Sequence, residues 1–436
     1  MKGSESPIPS SPTGTYRWTI CALLFFATTI NYLDRQVIGL LKDALAGEFQ
    51  WSEKDYSNIV MAFSAAYAIG LLGFGRMIDK IGTKLGYTIS VFIWSIAAVG
   101  HAMAKSTFGF GFARAALGLG EAGNFPAAIK SVAEWFPKKE RALATGIFNS
   151  GTNVAAIVGP LAIAWIYQSF GWREAFIWTG LLGFIWLILW QIYYDVPQRH
   201  KKVGQVELNH IFSDEAESAK EGEPTMGWAK LLTKRQTWAF ITGKFLTDPI
   251  WWFYLFWVPT YFNSTFGLNL SKSAIHISII YTAAGLGSVL GGYLPTWLIK
   301  KNNWEIYRAR KTAMLIYALL VIPVIGLRYA TDIWTAVALI SLATAAHQGW
   351  SANLFTTVSD MFPRRAVSSA VGIGGMAGSV GGILFPFVVG ILLDHYKLLG
   401  NITTGYNIVF IVCGCTYVMA WMLIHLLVPK FERAIN

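Results

Sequence analysis

Charge is scarce in this 436-residue chain. Asp, Glu, Lys and Arg make up 14% of it, against about 25% in a soluble domain. Apolar residues make up 54%, so most of the surface must face something other than water, and a soluble globular protein is excluded as the first reading. Cysteine is nearly absent. Cys21, Cys413 and Cys415 lie in apolar runs, without metal-ligand spacing or a disulfide framework. No nucleophile–base pair and no Walker ending follows the glycine-rich runs Gly285 to Gly292 and Gly372 to Gly382, which argues against an enzyme and against a phosphate loop. Small residues in apolar helices instead permit close helix packing. No cleavable leader is expected: a polar start, Met1 to Thr15, leads into an apolar run too long for a signal-peptide core.

Long apolar runs are what the chain does have. A spanning helix needs about 20 apolar residues, and twelve stretches qualify. They lie near 17–40, 55–75, 85–104, 107–129, 141–167 and 172–194, then near 237–263, 273–299, 310–328, 333–358, 366–393 and 405–428. The expected organisation is a tail at 1–16, a six-helix bundle at 17–194, a polar interdomain loop at 195–236, a second six-helix bundle at 237–429 and a tail at 430–436. The loop carries Lys201-Lys202, Asp214-Glu215, Glu221 and Glu223.

The net charge of +11 could suggest nucleic acid, but its distribution does not. With the N-terminus inside, the tails and inner loops hold 25 of the 35 Lys and Arg residues. The outer side holds seven, and three (Arg35, Arg114, Lys244) fall within spans. The positive-inside rule then places both termini in the cytoplasm. The expected partners are membrane lipid and a small organic anion, with no nucleic acid, and the expected state is a monomer.

Thirty residues recur 226 positions later. Ser131-Val-Ala-Glu-Trp-Phe-Pro-Lys-Lys returns as Thr357-Val-Ser-Asp-Met-Phe-Pro-Arg-Arg, and the echo runs through Gly146/Gly372 to Pro160/Pro386. A period of half the chain inside apolar sequence is the mark of a transporter built from two parallel halves. The expected fold is therefore an all-α membrane protein of twelve transmembrane helices in two pseudo-symmetric bundles.

Gly75-Arg-Met-Ile-Asp79-Lys80-Ile-Gly82-Thr-Lys84 follows the second span. It resembles the G-x-x-x-D-[RK]-x-G-x-[RK] signature of the major facilitator superfamily. The resemblance implies a gating role for Gly75, Asp79, Lys80, Gly82 and Lys84, with Asp79 latched by charged partners in the other half. Glu134, Arg141 and Asp360, in the repeated loops, join this gating set. Asn31-Tyr32-Leu-Asp34-Arg35 and Arg114-Ala-Ala-Leu-Gly118-Leu-Gly-Glu121-Ala-Gly-Asn-Phe-Pro126 are similar to the anion:cation symporter family. Lys244-Phe-Leu-Thr-Asp248-Pro and Ala346-His347-Gln348 point to its hexuronate branch. That resemblance implies import of a sugar acid across a bacterial inner membrane, with protons as the coupling ion and no other cofactor.

Ionisable groups within spans are costly, at least about 2.5–3.5 kcal/mol each at the bilayer centre, and are functional by default. Arg35 and Arg114 are the expected carboxylate clamps, because a planar guanidinium grips a carboxylate by two parallel hydrogen bonds. Glu121 is the expected proton carrier. It lies seven residues after Arg114, on nearly the same helix face, where substrate competing for that arginine would free the acid to take a proton. Asp34 is either a second carrier or a counter-charge for Arg35. Lys244, Trp252, His347, Gln348 and Asn353 are expected to hold the sugar from the C-terminal half, with Tyr67, Asn149 and Asn153 contributing from the N-terminal half. Three other readings stay open: efflux of organic anions or drugs by antiport, sodium-coupled anion symport, and a non-transporting membrane sensor. Gly159-Pro160 lacks the Gly-Gly that antiporters add after it (Leu161-Ala162 stands there), and the polar loop is short for a signalling domain.

Overall fold

In the computed structural model, residues 14–214, 226–268, 270–432 and 434 are described. The tail up to residue 13, the loop segment with Glu215, Glu221 and Glu223, and the last two residues lie outside them. The N-terminal half comprises α1 (Tyr16–Leu40), α2 (Lys42–Phe49), α3 (Glu53–Ile81), α4 (Thr83–Gly100), α5 (Thr107–Glu121), α6 (Asn124–Trp135), α7 (Lys138–Phe170) and α8 (Trp172–Tyr193). Two short helices follow in the connecting loop, α9 (Gln205–Ile211) and α10 (Trp228–Leu232). The C-terminal half comprises α11 (Arg235–Phe266), α12 (Leu270–Asn302), α13 (Ile306–Val321, extended by a 3-10 segment to Tyr329), α14 (Ile333–Met361), α15 (Val367–Leu398) and α16 (Ile402–Leu427). With α5 and α6 as one broken span, this gives six bundle positions in each half.

Eight of these helices are long and apolar enough to cross a membrane. The four bundle positions that fall short are α1, α5/α6, α11 and α14, which carry Asp34, Arg35, Arg114, Glu121, Lys244, Asp248 and His347. Polarity is thus concentrated in the first and fourth helix of each half. Large apolar side chains such as Phe387, Ile391 and Leu426 stay exposed along the helices, as a lipid-facing surface requires.

The fourth span differs from the continuous 107–129 helix expected. It breaks at Ala122–Gly123 and resumes as α6 through Trp135. Gly120 lies so close to α4 that a Cβ would meet the Trp94 amide nitrogen at 2.6 Å. Ser90 Oγ donates to the Gly120 carbonyl at 2.7 Å, so a backbone group at the break stays satisfied away from water.

The two halves meet chiefly through α3 against α15 and α7 against α12. Both crossings rest on paired glycines. A Cβ on Gly75 would fall 2.5 Å from the Ser368 carbonyl oxygen and 3.3 Å from the Gly372 Cα. At the other crossing, a Cβ on Gly146 would overlap the Ser288 carbonyl and fall 3.3 Å from the Gly292 Cα. Gly146 and Gly372 are repeat partners at the 226-residue offset, and Gly75 and Gly292 occupy matching positions on α3 and α12. The internal repeat is therefore written into the contact between halves.

Candidate functional site

The repeated loops lie on one face with the start of α1 and with Ala434. Arg17 binds Glu140 at 3.0 Å, and the Ala434 amide donates to the Met361 carbonyl at 2.9 Å. On this basic face the halves are closed upon each other. The Asp79 carboxylate crosses to α15 and accepts from the Ser369 amide at 2.7 Å and the Ser368 amide at 3.3 Å. Lys130, from its own half, pairs with it at 3.1 Å. The expected latch of charged side chains in the other half is thus replaced by a helix N-terminus, whose free N–H groups and dipole suit a carboxylate.

Gly82 turns the chain at φ +91°, which favours glycine. Lys80 is exposed, and Lys84 lies 4.0 Å from Asp195. Glu134 stays within its half, accepting from Thr83 Oγ1 at 2.7 Å and Tyr194 OH at 2.6 Å. Its repeat partner Asp360 binds Arg310 at 3.0 Å, and Arg310 reaches across to the Lys138 carbonyl at 2.7 Å. Arg141 donates to the Ser359 carbonyl of the other half at 2.5 Å.

Beyond this seal lies a cavity between the halves. Phe125 and Phe355 both line it and stack across the interface, with centroids 5.0 Å apart. The wall includes Tyr32 and Arg35 of α1, Tyr67 and Leu71 of α3, Asn149 and Thr152 of α7, Lys244, Asp248, Trp251 and Trp252 of α11, and His347, Gln348 and Ser351 of α14.

Arg35 is held in an aromatic cage. Its guanidinium carbon lies 4.6 Å from the Tyr32 ring centroid, 4.7 Å from Tyr67 and 5.0 Å from Phe63. Such faces stabilise a cation removed from water. Behind it, Arg35 Nε donates to Glu121 Oε2 at 2.9 Å, and Nη2 lies at 2.9 Å from the same oxygen. Glu121 Oε1 is buried without a hydrogen-bond partner among the described residues.

In the other half, Lys244 Nζ lies 2.6 Å from Asp248 Oδ2 and 4.2 Å from the Phe355 ring centroid. The His347 ring stacks on Trp251 at 5.1 Å, and its Nδ1 meets Tyr417 OH. Asn149 Nδ2 donates across the interface to Gln348 Oε1 at 2.8 Å.

Several expectations need correcting. Arg114 is not on the cavity wall: its Nη2 donates to the Arg35 carbonyl at 2.9 Å, and its guanidinium sits 4.9 Å from the Phe63 centroid. It supports the turn of α1 that presents Arg35. The direct ion pair of Glu121 is with Arg35, which approaches from α1; Arg114, seven residues earlier on α5, acts on it as a nearby charge. Asp34 is not the counter-charge of Arg35, which Glu121 supplies; Asp34 is buried outside the lining. Asn353 donates to the Gly291 and Gly349 carbonyls at 2.9 and 2.8 Å and is a helix-packing residue. Asn153 is buried beside Gly285, also off the wall.

Tyr32, Phe125, Trp251 and Ser351 were not among the expected site residues. For two of them the spacing held the signal. Tyr32 precedes Arg35 by three residues, and Trp251 completes an i, i+4, i+7 stripe with Lys244 and Asp248 on one helix face.

Residues 24–386 match the family model described as Major Facilitator Superfamily. The Hexuronate transporter of Escherichia coli (strain K12) is 34% identical over 379 residues, covering 87% of this chain and 88% of that one. The Galacturonate transporter of Dickeya chrysanthemi is 33% identical over 307 residues, 70% of this chain and 89% of its own. The Probable galactarate/D-glucarate transporter GudP of Bacillus subtilis (strain 168) is 28% identical over 448 residues, covering 100% of this chain and 96% of its own. Among solved structures, the proton:xylose symporter XylE bound to 6-bromo-6-deoxy-D-glucose shares the fold. Its TM-score is 0.73 at 16% identity, over 96% of this chain and 97% of that one.

Proposed function

Since this chain belongs to the major facilitator superfamily and is a multi-pass membrane transporter rather than an enzyme, we propose that it imports a hexuronate of the galacturonate or glucuronate class together with protons, by alternating access. The observation that carries this is the Arg35–Glu121 pair, because it joins an anion site and a proton site in one contact. A substrate carboxylate arriving at the cavity side of Arg35 competes with Glu121 for the guanidinium. Once deprived of its counter-ion, a carboxylate buried in this environment is stabilised by taking a proton. Substrate and proton then load together, and their release on the other side restores the pair.

The sugar end faces His347, Gln348, Asn149 and Ser351, with Trp251 and Trp252 as stacking faces for its C–H groups. The protein works as a monomer in the bacterial inner membrane with both termini in the cytoplasm, in keeping with its basic face and its bacterial relatives.

Reconstitution in liposomes tests the proposal. An inward proton gradient should drive accumulation of labelled galacturonate or glucuronate, and a protonophore should abolish it. Sodium-dependent uptake, or export under the same gradient, would overturn it in favour of sodium symport or efflux.

A further inference from the structure

The two ion pairs of the cavity face it with opposite polarity. In the N-terminal half the cation is presented: the Arg35 side chain is 13% exposed and Glu121 is 0% exposed. In the C-terminal half the acid is presented: Asp248 is 20% exposed and Lys244 only 8%. Three features hold that second arrangement. Lys244 and Asp248 lie one turn apart on α11, where such a pair forms without helix movement. Lys244 Nζ is further occupied by the Phe355 ring at 4.2 Å. Gly378 of α15 leaves the room in which the carboxylate sits, since a Cβ there would fall 3.1 Å from Asp248 Cγ. Arg114 and Asp34, the remaining buried charges nearby, are off the wall. His347 presents its ring from a stack with Trp251.

We infer that Asp248 is the specificity-determining residue on the C-terminal wall of the cavity, accepting a hydrogen bond from a sugar hydroxyl and rejecting a second carboxylate. The cavity is built for a polyhydroxy monoacid, and six-carbon sugar diacids are turned away. A hydroxyl at that wall donates to the Asp248 carboxylate. A second carboxylate there meets a like charge, while Lys244 beside it is already engaged, so charge complementarity chooses between ligands of nearly equal size. This inference rests on the hexuronate reading above.

The test is competition against labelled galacturonate binding at neutral pH, using the purified full-length protein. The competitors are galactarate, which has the same six carbons and a carboxylate at each end, and its monomethyl ester, in which one end is neutral. Galactarate should compete about ten-fold or more worse than galacturonate, and the monoester should recover most of that loss, since a like-charge contact is worth at least that factor. In Asp248→Asn the galactarate penalty should shrink about ten-fold, while Asp248→Glu should keep it. Three results would overturn the inference: a monoester excluded as strongly as the diacid, wild-type protein binding galactarate as well as galacturonate, or an Asp248→Asn protein that binds galacturonate and still excludes galactarate. The wild-type competition decides the matter even if the variants do not fold. If the wild-type protein binds neither acid, it is the hexuronate reading itself that fails.

Discussion

Arg35 and Glu121 meet at 2.9 Å across α1 and α5, with both guanidinium contacts falling on the single oxygen Oε2 and Oε1 left unpartnered among the described residues. The arginine's inner edge thus holds the acid, while the rest of its guanidinium lies against Tyr32 and Tyr67 on the cavity wall. Arg35→Lys keeps the charge but loses the planar fork. Galacturonate affinity is expected to fall about ten-fold or more, about 1.4 kcal/mol, as read by binding to purified protein. Arg35→Ala is expected to abolish specific binding.

Glu121→Gln fits the same space and removes the titratable group. Labelled galacturonate should still exchange against unlabelled substrate across a liposome membrane, while accumulation against a gradient is lost. A variant that concentrates galacturonate as the wild type does would remove Glu121 from the coupling step.

Gln348 and Asn353 lie five residues apart on α14 but answer to different neighbours. Gln348 lines the cavity and accepts from Asn149, whereas Asn353 ties α14 to the Gly291 carbonyl. Gln348→Ala is expected to raise the substrate KM several-fold with little change in thermal stability. Asn353→Ala should leave KM near its wild-type value and cost about 1–3 kcal/mol of stability, because it removes two buried hydrogen bonds. Transport kinetics and a thermal unfolding series separate the two.

Asp79 is held by two backbone amides of α15 and by Lys130. Asp79→Asn strands the buried lysine, and breaking a buried pair in this way costs about 3–5 kcal/mol. The expected result is a lower Tm and increased labelling, by a membrane-impermeant thiol reagent, of a cysteine placed at Ser359, which is buried on the basic face.

Much of the architecture was legible in the sequence. The 226-residue echo and the twelve apolar stretches specify two equivalent halves, because hydrophobic length and composition are what a bilayer selects. The break after Glu121 was not visible. It depends on how closely Gly120 approaches Trp94, a tertiary distance that apolarity does not encode. The candidate site was legible to the same depth. Charges in spans marked Arg35, Glu121 and Lys244, since burial cost singles them out whatever the fold. The closer partner was missed, with Arg114 alone given the acid that Arg35 pairs with, because spacing along one helix reports shared faces and is silent about a neighbouring helix. Tyr32 and Trp251 were passed over for a related reason: an aromatic residue in a membrane span has lipid, packing and ligand roles open to it, and only its neighbours choose among them.

The matched crossings Gly75–Gly372 and Gly146–Gly292 also bear on how the halves part. Each sets backbone against backbone. In the alternating-access cycle proposed above, separation at either would carry its counterpart with it. A disulfide engineered across one crossing should therefore immobilise the opposite one as well.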